Sequence, residues 1–203
     1  MKAPAARAPA AVWAALAVFA VTAVVCSPVL RNEFVNWDDG PALIENVHFR
    51  SLSREEIKWN FSNFHMGTYS PLSWTAFGAI YEVQGELNPY GYHLASLLVF
   101  SLSAALLTLI IARLLEAAAG PGARSPNPAT PLCAAAGALS FSLHPMQAAG
   151  IAMASALSDL SACAFTLGAA AAYLRWAVPE RPLLRWLVFS WMLAALSGLC
   201  RWQ

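Results

Sequence analysis

The chain has 203 residues, of which 59% are apolar and only 11% charged, against roughly a quarter charged in an average soluble domain. Twelve basic and eleven acidic residues leave a formal charge of +1, so there is no global field of the kind that recruits nucleic acid or an anionic surface. This is the composition of an integral membrane protein, in which charge carries meaning through its position.

Lys2 and Arg7 precede Ala11 to Leu30, an uncharged stretch long enough to cross a hydrocarbon core of roughly 30 Å. A cleaved signal peptide has a shorter apolar region, commonly about 7–15 residues. The length therefore predicts a retained signal anchor over 11–30, although Val24-Val25-Cys26-Ser27 also fits a cleavage site.

Residues 31–92 follow as the one substantial polar segment and hold eight of the eleven acids: Glu33, Asp38, Asp39, Glu45, Glu55, Glu56, Glu82 and Glu86. Within it, Ser53 three residues before Glu56 reads as a helix start. Pro71 to Tyr81 is apolar but too short to span, which predicts an interfacial or re-entrant helix with Trp59, Trp74 and Tyr81 at headgroup depth. Asn60-Phe61-Ser62 is an N-glycosylation sequon, relevant only in a eukaryotic lumen.

Further spans are predicted over 94–112, 130–148, 157–176 and 183–200. Glu116 to Pro131 is a Pro/Gly-rich loop, and His144-Pro145 marks the kink or stop that divides the third span from the fourth. The expected architecture is an all-α bundle of five spans in one membrane domain, with a long helical outer loop. The four cysteines, Cys26, Cys133, Cys163 and Cys200, lie in apolar runs without CxxC spacing, so neither a disulfide framework nor a zinc site is expected.

Lys2, Arg7, Arg113, Arg124, Arg175, Arg181 and Arg185 all fall on one side of these spans. Basic residues in short loops set orientation, so that side is predicted to be cytoplasmic. Asp38, Asp39, His93, His144 and Asp159 then share the outer face. Polar groups do collect at helix ends, where water satisfies them. Asp39-Gly40 is also an ordinary turn pair, and His144-Pro145 equally suits a capped, kinked helix end. Asp159 stands out, because a carboxylate inside a span costs about 2.5–3.5 kcal/mol on insertion scales and calls for a partner.

Four features occur in order. A DD (Asp38-Asp39) follows the first span, then come Tyr69-Ser70-Pro71-Leu72 and Asn88-Pro89-Tyr90-Gly91-Tyr92-His93, and finally His144-Pro145 with Asp159 fourteen residues after the proline. Together they resemble the membrane portion of the transmembrane and tetratricopeptide-repeat family and its bacterial relatives, over about residues 32–173. The resemblance implies a glycosyltransferase of the C type that moves a sugar, mannose in the family's protein O-mannosyltransferases, from a polyprenyl or dolichyl phosphate to a hydroxyl on protein. It implies Asp38 as general base, Asp39 orienting it or holding the acceptor, and His93, His144 and Asp159 in substrate binding. The donor is the lipid-linked sugar; neither a metal nor another cofactor is expected.

The chain departs from the family at two charges: Ala149 stands where a glutamate is usual, and Leu157, followed by Ser158, where basic residues are usual. Enzymes of this type have about twice as many spans and the family carries repeats, so a fragment, or one part completed by a second polypeptide, is expected. The alternatives are a non-catalytic remnant serving as a scaffold and half of an ion-coupled transporter. Alanine-rich composition favours a bacterial inner membrane with the site facing the periplasm over an endoplasmic reticulum membrane with the site facing the lumen.

Overall fold

The computed structural model describes residues 8–119, 127–178 and 183–201. Lys2, Arg7, Arg124 and Arg181, which enter the orientation argument, lie outside the described residues. Helix α1 (Ala8–Cys26) runs on into a 3-10 turn at Ser27–Arg31, and a π turn covers Gly40–Ile44. The outer segment then forms α2 (Arg54–Ser62) and α3 (Pro71–Gln84). The remainder is α4 (Pro89–Ala118), α5 (Thr130–Ser142), α6 (Met146–Ala152), α7 (Leu157–Ala177) and α8 (Leu184–Cys200). Among the described residues there is no strand, only an isolated bridge between His65 and Thr68.

Three helical segments, Ala10–Arg31, Pro89–Ala118 and Leu157–Ala177, are long and apolar enough to cross a membrane. The sequence reading expected five. The other two apolar helices are shorter: α5 has 13 residues and α8 has 17, or about 20 and 26 Å at 1.5 Å per residue. The expected span over 130–148 stops at Ser142 because Pro145 cannot donate to the preceding turn, and the chain restarts as α6.

Helix α4 is the central post, packing against α1, α5 and α7, while α8 packs on α7. Its buried positions are dominated by small residues, Ser101, Ser103, Ala104, Ala105, Thr108 and Ala112 among them, which let neighbouring backbones approach closely. Hydroxyls supplement that packing. Thr22 and Ser142 meet at 3.2 Å between α1 and α5, and Ser197 of α8 donates to the Ala162 carbonyl of α7 at 2.8 Å.

The outer segment has its own core. Leu43, Phe49, Trp74, Phe77 and Tyr92 pack with Ala154 and Leu157, joining the outer loop to α3, α4 and the α6–α7 connection. Trp74 is therefore a core residue, contrary to its expected headgroup position; the most exposed aromatics of the loop are Trp37 (73%) and Phe64 (69%). Ser53 caps α2 as expected, its Oγ accepting from Glu56 N at 3.2 Å. Asn60 of the sequon is fully buried.

The Asn88-Pro89 stretch is a helix start in which every residue has a task. Asn88 Oδ1 accepts from Tyr90 N at 3.0 Å and Pro89 occupies the first turn, where its missing N–H costs nothing. Gly91 makes room for the Gln84 side chain, whose Oε1 accepts from Gly91 N at 2.9 Å. Tyr92 and His93 are then carried straight into the interior.

Candidate functional site

Asp38 and Asp39 lie between the 3-10 turn that ends the first span and the π turn at Gly40–Ile44. The two carboxylates have different environments. Asp39 is fully buried, and its oxygens accept three backbone N–H groups: Val35 at 2.9 Å and Ala154 at 3.2 Å on Oδ2, Ser155 at 2.8 Å on Oδ1. Charge-assisted bonds of this kind are the strong ones. They tie the loop after α1 to the α6–α7 connection more than 100 residues away, which places Asp39 as a brace beneath the site.

Asp38 is half-buried and faces a small cleft of about 70 Å³ that it lines with Thr68, Ser155, Ser158, Asp159 and Arg201. Asp159 stands in the first turn of α7, where the positive end of the helix dipole favours a carboxylate. Its partner is Arg201, which meets it at two points: Nε to Oδ1 at 2.9 Å and Nη1 to Oδ2 at 3.0 Å. The position of Arg201 is set by α3. Ser73 Oγ donates to the Cys200 carbonyl at 2.7 Å and so pins the end of α8 beside the cleft.

The cleft wall also contains a turn in an uncommon conformation. Met66 has φ +52 and Gly67 has φ +73, so the His65–Thr68 turn holds a non-glycine residue in the left-handed region, a strained conformation that concentrates at functional sites. It brings Met66 and Thr68 to the rim.

The sequence-derived candidates are thus only partly brought together. Asp38 and Asp159 share the cleft. His93 does not line the cleft; it is fully buried, with Asp39 and Glu33 within electrostatic reach. His144 is elsewhere: it lines a separate apolar groove of about 370 Å³ between the C-terminal end of α1 and the α5–α6 turn. There its Nδ1 accepts from Met146 N at 3.2 Å, at the break between α5 and α6, where Leu143 and Pro145 hold the two cap positions.

Of the positions where the resemblance implies charged residues, Ala149 is exposed on α6 and lies outside the cleft. Leu157 is a core residue packed with Phe49 and Tyr92, whereas Ser158 is the residue that turns toward the cleft. Arg201 supplies a guanidinium beside Asp159 from a different helix. Sequence reasoning missed it, although one signal was present: it is a basic residue at the cleft end of its helix, when Arg113, Arg175 and Arg185 all sit at the other end. Among the described residues no three His, Cys, Asp or Glu side chains converge as a metal-holding group would. No family model, curated protein or solved structure matches the chain.

Proposed function

We propose that the chain is the membrane part of a C-type glycosyltransferase that moves a sugar from a polyprenyl phosphate to a hydroxyl acceptor, on protein in the preferred reading. The observation that carries it is one cleft, at the start of the apolar helix α7, in which Asp38, a carboxylate without an ion-pair partner among the described residues, stands near an arginine, Arg201. A lipid-linked substrate presents its phosphate at that height, and a guanidinium recognises phosphate by paired N–H donors.

In this reading Asp38 accepts the proton of the acceptor hydroxyl as its oxygen attacks the anomeric carbon. The bond from that carbon to the phosphate oxygen breaks, the electron pair leaves on the polyprenyl phosphate, and the configuration inverts. Arg201 holds the phosphate and stabilises the charge that develops on it. Asp39 keeps the loop carrying Asp38 in register with α7.

The cleft is smaller than the roughly 300 Å³ at which ligand pockets begin, so admission of a sugar requires the Arg201–Asp159 pair to part. Arg201 then exchanges a carboxylate for a phosphate. The same closed cleft favours the second reading, a non-catalytic scaffold. The two are separated by incubating purified protein with polyprenyl-phosphate mannose carrying a labelled sugar and a serine- and threonine-containing peptide. Transfer that disappears in Asp38→Asn supports the enzyme. Absence of both binding and transfer across a panel of lipid-phosphate sugars supports the scaffold.

A further inference from the structure

The opposite end of the bundle carries a second feature that the transferase reading does not use. From His93 to Arg113, α4 runs twenty residues, or about 30 Å, which is the thickness of a hydrocarbon core. Helices α1 and α7 both pack on α4 and leave a furrow of about 340 Å³ between them at this far end. Its walls are mostly apolar, with Val12 on α1, Leu109 and Ile110 on α4, and Leu174 on α7, and the small residues Ala112 and Ala171 keep it open. Two guanidinium groups, of Arg113 and Arg175, line the same furrow.

Among the described residues their charges are only partly balanced. Arg113 Nη1 lies 3.3 Å from Glu116 Oε2, one helical turn on. Arg175 lies over the Trp186 ring of α8, 4.8 Å from its centre, a contact that orients the cation and leaves its charge in place. Arg113, Glu116 and Arg175 together therefore present one net positive charge at the mouth of an apolar slot.

We infer that this furrow is a binding site for an anionic phospholipid, with the phosphate held by Arg113 and Arg175 and one acyl chain lying along α4 between α1 and α7. The occupant follows from charge and shape together. In a bilayer spanned by these helices the furrow opens to lipid, the ends of α4 bracket the hydrocarbon core, and a basic pocket between helices at headgroup height fits a single anionic headgroup. The inference does not rest on the transferase reading, because the furrow contains none of the groups assigned to transfer.

The test uses the full chain, delipidated in neutral detergent, with dioleoyl phosphatidylglycerol or dioleoyl phosphatidylcholine added at equal concentration and bound lipid read by native mass spectrometry. Phosphatidylglycerol is expected to be retained preferentially. Arg175→Gln should cut its retention about tenfold, the loss of one hydrogen bond to a charged group, whereas Arg185→Gln removes an equal charge outside the furrow and should leave retention unchanged. Ala171→Leu should also cut retention by filling the slot without altering charge, with helicity by circular dichroism showing that the variant is folded. Equal retention of the two lipids overturns the inference. So does equal loss in Arg175→Gln and Arg185→Gln, which would mean surface charge alone, or full retention in Ala171→Leu.

Discussion

Arg201 and Asp159 are joined by a two-point ion pair, 2.9 and 3.0 Å, across 42 residues of sequence. The Asp159 side chain is 56% exposed and that of Arg201 33%, so water screens much of their attraction. A pair in this setting contributes about 0–1 kcal/mol to stability. Its importance lies in where it places a guanidinium.

Arg201→Gln should therefore lower the thermal midpoint by only about 2–4 °C, yet remove binding of a polyprenyl-phosphate sugar. Thermal unfolding in detergent and a lipid-binding titration on the same preparation check the two halves. Loss of fold together with loss of binding would mean that Arg201 acts structurally.

The adjacent aspartates should separate cleanly. Asp39→Ala removes the acceptor of the buried Ala154 N–H and the half-buried Ser155 N–H and frees that of Val35. Each bond to a charged acceptor is worth about 1.5–3 kcal/mol, so the two from Ala154 and Ser155 set an expected cost of about 3–6 kcal/mol. Asp38→Asn should leave stability within about 0.5 kcal/mol, the usual range for changes away from buried networks, while abolishing transfer. Chemical denaturation of both variants measures the difference.

His144→Ala and His144→Asn should each change stability by only about 0.5 kcal/mol, because the bond to Met146 N is exposed and Pro145, not His144, stands at the cap of α6. Transfer should stay within about twofold of the unaltered protein in both, a change of under 0.5 kcal/mol in the barrier, because His144 lines a groove that excludes Asp38. A large loss of transfer with an intact fold would return His144 to the substrate site that the resemblance implies.

Two glycines offer a test of packing. A Cβ at Gly78 would stand 2.6 Å from the Phe49 carbonyl oxygen, a backbone atom, whereas one at Gly91 would meet the end of the Gln84 side chain. Gly78→Ala should thus destabilise by about 1–3 kcal/mol through overpacking. Gly91→Ala should cost less, since Gln84 can rotate away. Denaturant midpoints of the two variants give the order.

Much of the local structure was legible in the residues. Helix α7 begins and ends close to the expected 157–176, α8 close to 183–200, and the first apolar run, the Ser53 cap and the short α3 appear as read. These features depend on apolar run length, on prolines and on capping side chains, all of which act within a few residues. The short α5 shows the limit: absence of charge from Thr130 onward predicted a longer span than His144-Pro145 permits.

The site divides along the same line. Asp38, Asp39 and Asp159 could be named as candidates because carboxylates beside apolar runs are costly and therefore conspicuous. The resemblance implies Asp38 rather than Asp39 as the reactive member of the pair, but the physical reason that Asp39 turns inward lies in three backbone N–H groups, two of them contributed by the α6–α7 connection. Trp74 looked like a headgroup residue and is core, because α3 folds under Phe49 and against α4. Arg201 reaches Asp159 only because Ser73 anchors the end of α8. Sequence periodicity and run length specify helices, which are local, whereas the cleft is made of side chains from four separate segments and exists only once packing has brought them together.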